Sequence, residues 1–353
     1  MIKEAIRKIV CGRDLSYPEA GAIMKELMSG KTTNAQIASL LTSLRMKGES
    51  VEEISAFAKV MRDYCFQIHP DVNRRIVDIV GTGGDRIKSF NISTTSAFVV
   101  AGIGITVAKH GNRSFTSKCG SADVLEKLGY DLNTDPSLVE KAVEKIGVGF
   151  MFAPRFHPAM KYALESRKEI GIRTVFNILG PITNPANAKG FLLGVYERSL
   201  TGTIASVLKN LGSEEAMVVH GLDGLDEIST IGRTEIVRLK DGEITIMDFS
   251  PKQFGIRLAK PEEISGFSPD KNAKIVFKII NGYYTDRDPK LDIVLINSAA
   301  GIIVGGLVDK FDEALELANE SIKSGATYTK LKEMIKFCNG DMEKLEGLET
   351  KYG

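Results

Sequence analysis

The sequence predicts an α/β protein in which a small all-helical N-terminal domain packs on a larger α/β domain with a central sheet. Three observations predict it. The first seventy or so residues carry helix signals almost exclusively, whereas from Arg75 onward short apolar, β-branched runs alternate with helical stretches. At 353 residues the chain is also longer than one ordinary core supports. The expected division is 1–70 for the helical domain and 71–353 for the α/β domain.

In the helical part, Ile2, Ile6 and Ile9 give a first amphipathic segment. Ser16 and Glu19 flank Pro18 at capping-box spacing, and Ser50 with Glu53 repeats the signal. The inward faces are Ile23, Met24 and Leu27, then Ile37, Leu40, Leu41 and Leu44, then Ile54, Phe57 and Met61, at three- and four-residue spacing. Gly48 suits the residue after a helix end. Strand candidates follow at 76–80, 105–108, 191–195 and 216–219. Segments 235–239 and 243–247 flank Lys240, Asp241 and Gly242 as a hairpin would. A helical piece at 158–173 interrupts the alternation, so helices within 155–180 are expected to join the N-terminal ones; from Leu291 the reading is mostly helical.

Composition narrows the function. A formal charge of +1 gives no global field for nucleic acid or an anionic membrane, so any anion site is local. The longest apolar stretches, 97–108 and 293–308, are short or broken by Gly, Asn and Ser and read as core elements. Cys11, Cys65, Cys119 and Cys338 are too scattered for a zinc ribbon or a redox pair, and with no signal-peptide pattern at the N-terminus the expectation is a reduced, cytoplasmic protein.

The chemistry concentrates in four places. Gly81, Thr82, Gly83, Gly84 and Asp85 follow a strand candidate and precede Asn91, Ser93, Thr94 and Thr95 at a helix start. Glycines let backbone N–H groups approach an anion, the helix N-terminus favours negative charge, and the hydroxyls add donors. The run Lys109, His110, Gly111, Asn112, Arg113 leaves the next strand, either as a solvated loop or as a wall of the same crevice. Cys119, Gly120 and Ser121 open a third helix nearby. Asp226 and Glu227 follow another strand; adjacent carboxylates suit Mg²⁺, which takes a few carboxylates and leaves its other positions to water and phosphate, but spacing alone does not rank Asp223 against Asp226. His157 lies beside a helix start, His220 reads as structural, and Arg167 sits on a helix able to grip a carboxylate.

In this order the motifs GTGGD (81–85), N-x-S-T (91–94), KHGNR (109–113), GSADVLE (120–126), Arg167 and the Asp226–Glu227 pair, with Asn177 to Pro181 and Thr183 to Pro185, resemble the anthranilate phosphoribosyltransferase family over nearly the whole chain. The resemblance implies a nucleoside phosphorylase/phosphoribosyltransferase-like fold. It implies transfer of phosphoribose from 5-phosphoribosyl 1-pyrophosphate (PRPP) to the amine of anthranilate, with loss of pyrophosphate, in tryptophan biosynthesis by a homodimer. Gly81, Thr82, Gly84, Asp85, Asn91, Ser93, Thr94, Lys109 and Ser121 would then contact PRPP. Ser93, Asp226 and Glu227 would hold Mg²⁺, as two ions per subunit. Gly81, Asn112, His110, His157 and Arg167 would line the anthranilate pocket, and no residue is assigned as an obligatory general base. Cys119 stands where some relatives carry Ser, and a thiol is a weak donor. A pyrimidine nucleoside phosphorylase shares the two-domain plan but lacks the KHGNR and Asp–Glu combination. A nucleic-acid-binding relative would show a basic surface and lost motif residues.

Overall fold

The computed structural model describes residues 1–114 and 118–352. Four helices come first: α1 (Ile2–Val10), α2 (Tyr17–Met28), α3 (Asn34–Lys47) and α4 (Val51–Asp63). Their starts follow the sequence signals. The Glu19 carboxylate accepts from the Ser16 N–H at 2.7 Å, and at α4 the Ser50 and Glu53 side chains each accept from the other's backbone N–H. Gly48 ends α3 at φ 86°, in the left-handed region a glycine enters without cost.

The sheet is built from β1 (Val77–Gly81), β2 (Val107–Gly111), β3 (Val148–Phe152), β4 (Gly190–Gly194), β5 (Glu215–Gly221), β6 (Thr234–Lys240) and β7 (Glu243–Phe249) in the order β3-β2-β1-β4-β5-β6-β7. The first five strands in that order are parallel, and β6 and β7 form the antiparallel hairpin at one edge. Helices α5 (Ile92–Gly102), α6 (Ser121–Lys127), α7 (Pro136–Ile146), α8 (Ala153–Phe156), α9 (Lys161–Ile170), α10 (Phe176–Ile182) and α11 (Leu200–Asn210) connect the strands. The helices α12 (Pro269–Ile280), α13 (Pro289–Val304), α14 (Phe311–Lys323), α15 (Ala326–Phe337) and α16 (Met342–Tyr352) complete the chain. None of the described helices is long and apolar enough to cross a membrane.

Alternation along the strands feeds two large cores, and Ala108 and Met151 join a third, smaller cluster with Val139, Val143 and Phe156. Ile79, Leu192, Met217 and Val219 face α5 and α12–α15, whereas Val80, Phe191, Leu193 and Val218 share a core with α1–α4, α10 and α11. Ala163 of α9 is buried in that second core, and the Ser166 hydroxyl donates to the Asn34 carbonyl at 3.2 Å. Three details differ from expectation. Strand β3 was not expected, because Val148 to Phe152 is buried on both faces and shows no alternation. The 158–173 piece is a short 3₁₀ turn (Pro158–Met160) followed by α9, which stops at Gly171. Lys109 and His110 are buried strand residues of β2, not part of a solvated loop.

Candidate active site

Chain order runs outward from β1 through β2 to β3 and then returns to β4 on the other side of β1, so the carboxyl ends of β1 and β4 flank a topological switch point. Gly81 and Gly194 are paired there in register. The loop after β5 lies directly over both. A Cβ at Gly81 would sit 2.7 Å from an Asp226 carboxylate oxygen, and one at Gly194 would sit 1.6 Å from the Asp226 carbonyl. Two glycines at strand ends therefore admit the acidic loop to the cleft.

The acidic pair engages the glycine loop and the start of α5. Asp226 accepts from the Gly83 N–H at 2.7 Å, and Glu227 accepts from the Ser93 N–H at 3.2 Å. From behind, Asn297 of α13 holds the next residue by both amide atoms, accepting from the Ile228 N–H at 2.9 Å and donating to its carbonyl at 3.0 Å. Burial pushes the Asp226 carboxyl up to about 7, with Asp85 adding repulsion and the Gly83 N–H partly offsetting it. Glu227 is held well above the usual range by burial and then by Asp226. Two buried carboxylates whose charged forms are disfavoured, open to one cleft, suit a divalent cation. No group of three or more His, Cys, Asp or Glu is assembled among the described residues, so other metal ligands would have to come from hydroxyl, water or substrate. Asp223 is otherwise engaged, its carboxylate accepting hydrogen bonds from the Ser229 hydroxyl and the Leu225 N–H.

Lys109 reaches across β1 from β2. Its ammonium donates to the Ile79 carbonyl and lies 3.4 Å from the Ser93 hydroxyl, with burial pulling its pKa down and Asp78 and Glu227 opposing that. Asp78 is in turn held by the Asn184 amide at 2.7 Å, and burial raises it to about 6. A positive charge is thereby fixed on the cleft floor with its counter-charge buried beneath.

Asp226, Glu227, Lys109, Ser93 and the glycine loop line one open cleft of about 290 Å³, small-ligand size, together with Thr82, Asp85, Asn91, Thr94, Asn112, Ser121, Arg167, Arg173, Phe176 and Pro181. Every residue expected to contact donor, acceptor or metal lines it except His157. That ring lies behind His110, with centroids 5.0 Å apart, and burial lowers its pKa to about 4. The His110 Nδ1 sits 3.2 Å from the Gly180 carbonyl, which can only accept, so Nδ1 carries the proton; burial and His157 keep the ring neutral. Arg167 is half-buried with its guanidinium 5.2 Å from the Phe176 ring centre.

Three motif residues have other tasks. The Thr95 hydroxyl bonds back to the Asn91 carbonyl inside α5 and does not face the cleft. Arg113 is stapled to Asp123 and Glu126 of α6 at 2.8 and 2.9 Å. Burial pushes the Cys119 thiol up to about 12, so it remains neutral. Arg173 and Phe176 also line the cleft; the sequence signal for Arg173 is a cation two residues beyond the helix-ending Gly171, and Phe176 has none.

With this geometry in view, the family model for the glycosyl transferase family, helical bundle domain, matches residues 3–65, and the one for the a/b domain of that family matches residues 73–328. The chain belongs to this glycosyl transferase family. The anthranilate phosphoribosyltransferase of Acetivibrio thermocellus is 50% identical over 339 residues, covering 96% of this chain and 97% of that protein. The crystal structure of the Thermus thermophilus enzyme of the same name superposes with a TM-score of 0.89 at 38% identity, over 95% of this chain and 99% of that one. The Saccharomyces cerevisiae enzyme, in complex with PRPP and Mg, gives 0.88 at 29% identity over 96% and 98%, and has also been solved with 4-fluoroanthranilate. These similarities place the chain among the anthranilate phosphoribosyltransferases of that family.

Proposed function

We propose that the cleft transfers the 5-phosphoribosyl group of PRPP to the amine of anthranilate, releasing pyrophosphate, in tryptophan biosynthesis. The observation that carries this is the convergence, at one switch point, of a glycine loop, a helix N-terminus, a buried lysine, a buried acidic pair and a half-buried arginine. The donor lies along Gly81, Thr82, Gly84, Asp85, Asn91, Ser93, Thr94, Lys109 and Ser121. Asp226, Glu227 and the Ser93 hydroxyl would hold Mg²⁺, two ions per subunit. When bound, the cation neutralises charge that develops on the leaving pyrophosphate.

As the bond between C1 and the pyrophosphate oxygen breaks, the Lys109 ammonium and the backbone donors around it stabilise the departing oxygens in a low-dielectric setting, where each fixed donor is worth roughly 3 kcal/mol. Arg167 grips the anthranilate carboxylate from the opposite wall. Asn112, Gly81 and neutral His110, backed by His157, orient the ring. The aromatic amine is already uncharged and nucleophilic, so proximity carries the attack on C1. The C1–N bond replaces the C1–O bond, the nitrogen sheds its extra proton to the released pyrophosphate or to water, and the bottom of the cleft needs no strong base. The family resemblance supports a homodimer, and the scattered cysteines support a reducing, cytoplasmic setting.

The test is the decay of anthranilate fluorescence with purified protein, PRPP and Mg²⁺, repeated with excess EDTA. Decay that requires both donor and metal is expected; folded protein that consumes no anthranilate refutes the assignment.

A further inference from the structure

Residues 82–88, between β1 and the bridge that Ser89 makes with Ser265, form neither helix nor strand, and Gly83 and Gly84 sit in succession at φ 69° and 84°. Such a backbone has many accessible conformations, so a donor site built on it needs tethers. The Thr82 N–H donates to the Gly194 carbonyl at 2.9 Å, and the Gly83 N–H donates to Asp226. The next tether comes from the other side of the cleft. The Arg173 Nη2 donates to the Gly84 carbonyl at 2.7 Å.

Arg173 is itself held in place. Its guanidinium lies 4.2 Å from the ring centre of Tyr196, a side chain that does not line the cleft. The Tyr196 N–H donates to the Thr82 hydroxyl at 3.0 Å. Thr82, Tyr196, Arg173 and Gly84 thus close a ring of contacts around the loop. The approach requires a glycine, because a Cβ at position 84 would lie 2.3 Å from the Arg173 Nη2. Three residues earlier in the chain α9 ends, and Gly171 at φ 62° turns the backbone toward the loop. Arg167, on α9, lines the same cleft.

We propose that Arg173 is a positioning residue which clamps the donor loop through the Gly84 carbonyl, with Tyr196 as its backing plate. On the transferase reading, on which this rests, the α9 segment carries two arginines with divided tasks: Arg167 serves the acceptor carboxylate and Arg173 keeps the PRPP loop in its binding shape. The guanidinium suits the task because stacking and hydrogen bonding use different parts of it, its face and its edge.

The experiment compares wild type, Arg173→Ala, Arg173→Lys, Tyr196→Leu and the Arg173→Ala/Tyr196→Leu double variant. Steady-state kinetics varies each substrate in turn, calorimetry titrates PRPP with Mg²⁺ in the absence of acceptor, and circular dichroism follows the melting of each protein. Arg173→Ala is expected to raise the PRPP KM and Kd at least about tenfold, the loss for one charge-assisted hydrogen bond, while the anthranilate KM moves less than about twofold. Tyr196→Leu should shift PRPP in the same direction although it touches no substrate. The double variant should be scarcely worse than Arg173→Ala, and Arg173→Lys should recover part of the loss. Equal changes in both KM values, unchanged PRPP binding, or effects of the two single changes that simply multiply would each overturn the clamp. A wild-type protein without turnover refutes the transferase reading instead, and the calorimetric series still reads the clamp.

Discussion

Replacing Gly194 by Ala places a methyl group where the acidic loop now lies. The new Cβ would start 1.6 Å from the Asp226 carbonyl oxygen and 2.4 Å from its carbon, against the 3.0 Å below which Cβ contacts essentially do not occur, so the loop must retreat by about 1.4 Å. Retreat is resisted from behind, where Asn297 holds Ile228 by two hydrogen bonds. It also stretches the 2.7 Å bond from the Gly83 N–H to Asp226 past bonding distance. A misplacement of about 1 Å in groups that position substrate costs on the order of 100-fold, or about 3 kcal/mol of barrier. The expected outcome is that loss in kcat, with a raised Mg²⁺ half-saturation, read from anthranilate fluorescence over a Mg²⁺ series. Gly202→Ala is the control, since a Cβ there meets nothing within 4 Å and α11 gains a better helix former. If folded Gly194→Ala kept kcat within about threefold and titrated Mg²⁺ as wild type does, the placement of the acidic pair by the two strand-end glycines would be wrong.

Arg167→Ala should raise the anthranilate KM by roughly 10- to 100-fold and the PRPP KM much less, as expected for losing a charged hydrogen-bond partner; equal effects on both would remove Arg167 from the acceptor side. Converting Asp226 and Glu227 together to Ala should depress turnover by at least about 100-fold and flatten its Mg²⁺ dependence. An unaltered metal titration excludes that loop from the mechanism. His157 gives a pH test. Its folded pKa of about 4 lies below the free value of 6.5, so the unfolded chain binds the proton first on acidification. The stabilisation from the neutral ring is therefore complete above pH 6.5 and fades as pH falls toward 4, a change of about 3 kcal/mol at most. Urea unfolding of wild type and His157→Gln should show their stability difference shrinking over that window, and a constant difference would rule out a buried neutral imidazole.

Legibility in the sequence followed the periodicity of each element. The N-terminal helices were readable because capping boxes and three-four spacing agree, and the residues expected to face inward there are buried. Strand β3 was not, since four apolar side chains and a glycine, one residue after a helix, carry no period of their own. The binding loops announce themselves through glycines and strand-to-helix order. What a side chain faces depends on neighbours distant in sequence: His157 is set back by the ring of His110, Arg113 is captured by α6, and Arg173 finds its carbonyl partner 89 residues upstream. Local pattern has no access to such pairings. The ranking of Asp226 over Asp223 is of this kind, decided by the Ser229 hydroxyl and the Gly83 N–H.

The core that α1–α4 share with one face of the sheet sets what can come apart. Ile23, Leu41 and Phe57 belong to the same apolar cluster as Phe191, Leu193 and Val218, and the Asn210 amide of α11 donates to the Ser55 hydroxyl of α4 at 3.2 Å. Residues 3–65 are matched as a unit in sequence, yet their interior is completed by strands more than a hundred residues away. Heat or denaturant should therefore dissolve helices and sheet together in one cooperative step, and a recombinant exchange of the helical bundle between relatives would have to carry the facing residues of β4 and β5 with it.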